Sequence, residues 1–283
     1  MQLLHALYLA ALASAAPTTK SRRFTTDAPF GNKKGLAYNS GADTSVLSTT
    51  GSATWAYNWG AARNAPKFQQ IPMVWGPGSE GDQAGALASY HADPNDTPWV
   101  LGYNEPDETG ANGGCNASPQ AAYNAWGDDM FQFSDLGIKL VCPAITSWDT
   151  TNGATGGPSG LTWLRDFASI GNNPSQFRCS AQALHWYGTN GQTAQQQADS
   201  FIGYIESASS TVNNIFGTNM LLWITEFSPL PVNDAQLMAD FLDIAMPWLD
   251  NTNYIDRYSP FMADYMVTNG ALNVAGQHFV KDS

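Results

Sequence analysis

Positive charge is scarce in this 283-residue chain: twelve Lys and Arg stand against 24 Asp and Glu, a formal net charge of −12. Such a surface repels the phosphates of nucleic acids and of anionic lipids, and neither is expected as a partner. Histidine is rarer still, with four residues and none spaced with cysteine as metal ligands are, so no metal and no cofactor are expected. Three cysteines are too few for a disulfide scaffold. They allow one bridge and one free thiol among Cys115, Cys142 and Cys179, and spacing alone does not choose the pair. Long apolar runs are missing as well: the run from Leu3 to Leu12 falls short of the roughly 20 residues a membrane span needs. No G-x-S-x-G elbow is present to support an esterase triad.

What is present begins with that short run. Ala13-Ser14-Ala15 follows it, the small-residue pattern that signal peptidase accepts. Residues 1–16 are therefore expected to be a signal peptide, with a propeptide reaching to 23 if the Lys20-Ser21-Arg22-Arg23 site is cut. That predicts secretion to the extracellular space or cell wall. The remainder, 24–283, holds 260 residues with a net charge of −15 and carries no linker or composition break. It is expected to be one catalytic domain and a monomer. Charged residues make up only 13%, against ten Trp, eleven Tyr and thirteen Phe, which argues for a large core with aromatic side chains to spare. A neutral substrate suits such a surface. Sequons occur at Asn95 and Asn116, each with Pro after the hydroxyl residue.

Eight short β-type runs can be picked out, bounded by Gly, Pro or Asn. They are Lys34–Asn39, Thr54–Trp59, Gln70–Trp75, Trp99–Asn104, Ile138–Pro143, Ala181–Tyr187, Leu221–Phe227 and Ile255–Phe261. Helical patterns fall between most of them, at Asp82–His91, Ser118–Leu136, Gly160–Ile170, Thr193–Val212 and Asp234–Leu249. Ser118 followed by Pro119 is a helix start, a capping hydroxyl and then a residue with no amide to waste. The loops after the first two strands look short, and the segment after Phe261 is weak in helical pattern. Alternating strands and helices pair in parallel through right-handed crossovers. Eight repeats close most simply into an α/β fold of the single (β/α)8 TIM-barrel type, which needs about 250 residues.

In that architecture catalytic groups sit at the C-terminal ends of strands. Two strands end in a glutamate among apolar neighbours: Leu101-Gly102-Tyr103-Asn104-Glu105-Pro106 and Trp223-Ile224-Thr225-Glu226-Phe227. Burying a carboxyl there costs several kcal/mol unless it is paired or hydrogen-bonded, so packing alone does not explain it. Pro106 is expected to hold Glu105 extended, in register with its strand. Two carboxyls across one gap suit glycosidic bond cleavage, one as proton donor and the other as nucleophile, or as the base that activates water if the gap is wider.

These motifs resemble those of clan A glycoside hydrolases. More narrowly, six segments resemble glycoside hydrolase family 128, the fungal endo-β-1,3-glucanases of the alkali-sensitive-linkage-protein type. They are Gly35–Asn39, Trp55–Gly60, Pro72–Gly76, Leu101–Asp107, His185–Gly188 and Trp223–Phe227. The resemblance implies a secreted retaining endo-β-1,3-glucanase, with Glu105 as acid/base and Glu226 as nucleophile. Asn104 would bind the sugar 2-hydroxyl and Tyr187 would hydrogen-bond the nucleophile. The Glu226 charge is expected to raise the Glu105 pKa. The eighth strand departs from the family pattern: Pro260 stands where relatives carry an aromatic pair, leaving Phe261 as its sugar platform.

Aromatic plates and amides line saccharide clefts. Tyr38, Asn39, Tyr57, Asn58, Trp59, Trp75, His185 and Trp186, at strand ends, are the further candidates for substrate binding. Gly76–Gly81 matches G-x-G-x-x-G, but Pro77 deletes an amide and Glu80 adds negative charge, so a rim loop is expected there. Two other readings stay open: a β-1,4-mannanase or xylanase of the same clan, and a non-catalytic cell-wall glucan-binding protein.

Overall fold

Short apolar runs become strands here because both of their faces are covered, as parallel sheets require. The computed structural model describes residues 33–281, apart from 51, 95–97, 172 and 218–219. The expected signal peptide, propeptide and Asn95 sequon lie outside the described residues.

Seven of the expected runs carry a strand, and the third shrinks to Gln69–Gln70 with an isolated bridge at Met73. β1 (Gly35–Ala37), β2 (Trp55–Tyr57) and β3 (Gln69–Gln70) make a parallel three-stranded sheet. β4 (Trp99–Leu101), β5 (Lys139–Ile145), β6 (Cys179–Tyr187), β7 (Leu221–Ser228) and β8 (Ile255–Tyr258) make a parallel five-stranded sheet in that order. Single parallel bridges join both edges of the larger sheet to the smaller one, Met73 with Leu101 and Lys34 with Tyr258. A flat sheet could not reach three other strands from both edges, so the five strands curl. Between them run α1 (Gly41–Leu47), α2 (Glu80–Ala92), α3 (Pro119–Asp135), α4 (Gly160–Ile170), α5 (Ala194–Phe216) and α6 (Ala235–Asn251). The connection after β1 is longer than expected, since it contains α1. The chain after Phe261 folds into a hairpin, β9 (Val267–Thr268) and β10 (Ala271–Leu272), and α7 (Val274–Phe279), which packs on α6.

The helix starts follow local chemistry. Ser118 accepts from the Ala121 amide with Pro119 next in line, Thr193 and Gln196 form a capping box, and Asp234 accepts from Gln236 and Leu237. Among the described residues no helix is long and apolar enough to cross a membrane.

Strand alternation sorts the core into two layers. Leu36, Val100, Leu140, Leu184 and Ile224 face the helices in one cluster. Ala37, Trp55, Tyr57, Trp99, Val141, Ala183 and Trp223 meet on the concave side, in a cluster that contains no α-helical residue. Cys142 of β5 bonds Cys179 of β6, and Cys115 is the free thiol.

Candidate active site

Glu105 and Glu226 converge at the C-terminal ends of β4 and β7. A carboxylate oxygen of each and a ring nitrogen of His185 all lie within 4.8 Å of one another. Both side chains are largely buried yet keep 9% and 6% of their surface accessible, and both make their closest basic contact with His185.

Glu226 reaches this position through an irregularity. Along β7 the even residues Leu222 and Ile224 face the helices while Trp223 faces inward, so strict alternation would send Glu226 outward. The ladder slips by one: Leu184 pairs with Ile224, but His185 pairs with Glu226, leaving Thr225 as an extra residue. Such a bulge re-aims the side chains that follow. Glu226 turns inward and Phe227 returns to the helix-facing layer. The Thr225 carbonyl, displaced from the ladder, accepts from Tyr57 Oη at 2.8 Å and Ser259 Oγ at 2.6 Å.

Donors then surround the Glu226 carboxylate. The Trp59 indole donates to Oε1 at 2.7 Å and the Tyr187 hydroxyl to Oε2 at 2.5 Å. His185 Nδ1 lies 3.5 Å from Oε1. These are the contacts that orient a carboxylate. The same three acid and imidazole groups form a metal-type cluster, but donors already address both Glu226 oxygens, which suits a free carboxylate better than a cation ligand.

Glu105 is held differently. Its φ of 40° places it in the left-handed region, correcting the expectation that Pro106 keeps it extended. It stands beyond the end of β4, where Asn104 bridges Ala144 and the chain turns back so that the Cys115 amide donates to the Asn104 carbonyl. Surroundings that over-determine the backbone can hold such strain. Trp59, on the other side of the pair, has a φ of 58°. His185 Nδ1 lies 2.8 Å from Glu105 Oε1, and Nε2 lies 2.9 Å from Thr225 Oγ1.

Burial is the largest cause raising the Glu105 pKa, with the Glu226 and Asp107 charges adding to it and His185 opposing. The expected cause, the Glu226 charge, is thus the lesser one. His185 is wholly buried, which lowers its pKa, but the Glu226 charge and Glu105 outweigh burial and the net direction is upward. The Tyr187 hydroxyl is pushed far up by burial and then by the Glu226 charge, so it stays a donor.

The other candidates divide by strand parity. Tyr57, Trp59, Trp75 and Phe261 belong to or pack on the concave cluster, and Phe261 meets Trp59 and Tyr187 edge-on, at 5.8 and 5.5 Å between ring centroids. Tyr57 is buried and acts on the bulge, with no free face for a sugar. Tyr38 and Trp186 are corrections. Both face the helices: Tyr38 donates to Asn64 and Gln70, and Trp186 stacks on Phe241. One-residue steps along a strand change faces, and their neighbours Ala37 and His185 take the inner positions. Asn39 is exposed, its amide N–H bonded to Asp264, while Asn58 donates to Ala62 and Asn64. Asn104 is buried; its Nδ2 donates to the Gly113 carbonyl and its Oδ1 has no partner among the described residues. The glycine loop is no phosphate cradle, because its amides are already taken: Gly76 donates to Ser79 Oγ, Gly78 to Asp129, and Ser79 and Glu80 to carbonyls within the loop.

Sequence reasoning missed three contributors, Thr225, Ser259 and Asp107. The carboxylate of buried Asp107 accepts from the Thr146 amide and hydroxyl and from the Gly160 amide. It thereby ties the loop after β4 to the loop after β5. Its place two residues past Glu105 was the available signal.

A buried acid with a raised pKa and a clamped carboxylate across from it are the equipment of a glycoside hydrolase. Residues 35–281 match the family described as the glycosyl hydrolase catalytic core, and the chain belongs to that family. Its fold is similar to a curdlan-specific exo-β-1,3-glucanase of glycoside hydrolase family 128 (subgroup III) from Blastomyces gilchristii: TM-score 0.73, 29% identity, covering 87% of this chain and 97% of that one. It is also similar to an endo-β-1,3-glucanase of the same family (subgroup II) from Sorangium cellulosum: TM-score 0.69, 28% identity, covering 88% and 97%. Among curated proteins it resembles alkali-sensitive linkage protein 1 of Schizosaccharomyces pombe, 24% identical over 81% of this chain. The match spans only 38% of that relative's length.

Proposed function

We propose that this protein is a secreted, retaining endo-β-1,3-glucanase, with Glu105 as general acid/base and Glu226 as nucleophile. The observation that carries this reading is that one oxygen of Glu105 and one of Glu226 lie within 4.8 Å of each other. Retaining enzymes hold their carboxyls about 5–5.5 Å apart, whereas inverting ones leave roughly 6.5–9.5 Å for a water. The two glucanase structures and their substrates support the choice of linkage. The bridges at both edges of the five-stranded sheet support closure of the eight strands into a (β/α)8 barrel in one domain over 24–283.

In this mechanism protonated Glu105 gives its proton to the glycosidic oxygen while Glu226 attacks the anomeric carbon, forming a glycosyl–enzyme ester. Glu105, now a carboxylate, takes a proton from water, which cleaves that ester and restores both groups. Trp59 and Tyr187 keep Glu226 aimed. Asn104, the residue before Glu105, is the group assigned to the sugar 2-hydroxyl. Phe261, with Trp59 beside it, offers the apolar surface for the ring.

Glu226→Ala is expected to lower kcat on linear β-1,3-glucan by roughly 10⁴-fold or more. Glu105→Ala is expected to lose far less on an aryl glycoside whose leaving group needs no proton. Normal turnover by Glu226→Ala would end the assignment. Exo action is a second reading, favoured by the Blastomyces gilchristii structure. Product analysis separates them: endo cleavage releases a range of oligosaccharides early, exo cleavage a single short product.

A further inference from the structure

Of the ten tryptophans, six are buried and three partly buried, but Trp148 is 72% exposed. An indole carries roughly 150–250 Å² that burial could remove from water, and this one is left outside although its backbone is firmly held. On one side Thr146 donates twice to Asp107 and its carbonyl accepts from Tyr204. The Trp148 carbonyl itself accepts from Ser159 Oγ. On the other side Asp149 caps α4 through the Thr162 amide at 2.7 Å. Gly160 has a φ of 62°, and a side chain there would strike Asp149 and the Trp148 carbonyl. The indole is therefore displayed by a fixed loop.

Its location is specific. The loop leaves the C-terminal end of β5, next to β4, and Asp107 binds it to the segment that carries Glu105. Trp148 is two residues from Thr146, a chain reach of no more than about 7 Å. Its loop thus leaves the same end of the strands as the catalytic pair, beside the segment that carries Glu105.

We infer that Trp148 is a platform for a distal pyranose of a long neutral glucan chain, an outlying subsite of the cleft. This rests on the glycanase reading above. A flat indole offers a sugar's C–H face the surface it prefers, and the flanking Ser147 and Thr150 carry hydroxyls that can meet its own. A protein partner fits less well, because a stable interface needs on the order of 800 Å² per partner. The other large exposed apolar side chain among the described residues is Leu136, which precedes β5 at the opposite end of the strands.

The test is binding of β-1,3-gluco-oligosaccharides of increasing length to Glu226→Ala, with and without Trp148→Ala, by calorimetry and tryptophan fluorescence. Affinity is expected to climb with length and then step up once the chain reaches the platform. Trp148→Ala should remove that last step, about 3- to 10-fold in Kd, and the accompanying blue shift in emission. Trp148→Tyr should restore most of the gain. Identical length dependence with and without the indole overturns the platform while leaving the glucanase reading intact. If wild-type protein neither cleaves nor binds β-1,3-glucan, that reading fails first, and the same pair of variants is compared on β-1,4-linked gluco-, manno- and xylo-oligosaccharides. A length step abolished by Trp148→Ala on any of these sustains the platform, and its absence on all of them rejects it.

Discussion

At the scale of single residues, His185 is the group on which the acid pair turns. It is fully buried, contacts both carboxyls and is oriented from behind by Thr225. Its hydrogen bond and charge lower the Glu105 pKa, against the larger effect of burial. In the proposed mechanism Glu105 must carry a proton, so activity falls as pH rises through its pKa. Removing His185 withdraws the lowering influence, so that pKa rises and the alkaline limb moves to higher pH. For His185→Asn we expect a lower kcat together with an upward shift of the alkaline limb of kcat/KM. A limb that stays in place or moves down would show that the imidazole does not act on Glu105.

Among the elements, β7 carries the arrangement. Its bulge at Thr225 moves Glu226 from the outer face to the inner one, and the freed carbonyl has two side-chain partners, Tyr57 and Ser259. Leaving a buried carbonyl unpaired costs about 1–3 kcal/mol, and a displacement of order 1 Å at a reacting group can cost about 100-fold in rate. Ser259→Ala alone keeps the Tyr57 bond and should be mild. Combined with Tyr57→Phe, it should reduce kcat by about 10- to 100-fold with a smaller change in KM, and lower stability to denaturant by about 1–3 kcal/mol. Steady-state kinetics and a urea titration check this; an unaltered kcat in the double variant counts against the bulge as the positioning device.

Across the whole molecule, stability rests on two core layers and on one covalent tie. The Cys142–Cys179 bridge closes a loop of 37 residues between adjacent strands. Restricting the unfolded chain over that length is worth about 4 kcal/mol in the chain-entropy account. Replacing both cysteines by serine should therefore lower unfolding free energy by about 2–4 kcal/mol, read from the denaturation midpoint in oxidising buffer. The free thiol of Cys115, half-buried and with its pKa pushed up to about 12 by burial and then by the Asp107 charge, should not replace either partner. An unchanged midpoint would mean that the strand ladder already supplies the constraint.

Much of this was legible from the chain alone, for a physical reason. Helix caps, turn residues and apolar periodicity act over a few residues, so Ser118-Pro119, Gly160 and the eight strand runs could be read where they stand. An acid embedded in an apolar strand end is likewise a local anomaly, and it marked both Glu105 and Glu226. What needed the tertiary structure was everything that depends on a neighbouring strand. Parity along β6 separates His185 and Tyr187 from Trp186, and the register with β7 shows where that parity breaks. The disulfide partner, the left-handed turn at Glu105 and the second role of Trp59 as a donor to Glu226 are settled by groups distant in sequence. Short-range forces wrote the elements; which face each side chain shows, and to what, was decided when the strands paired.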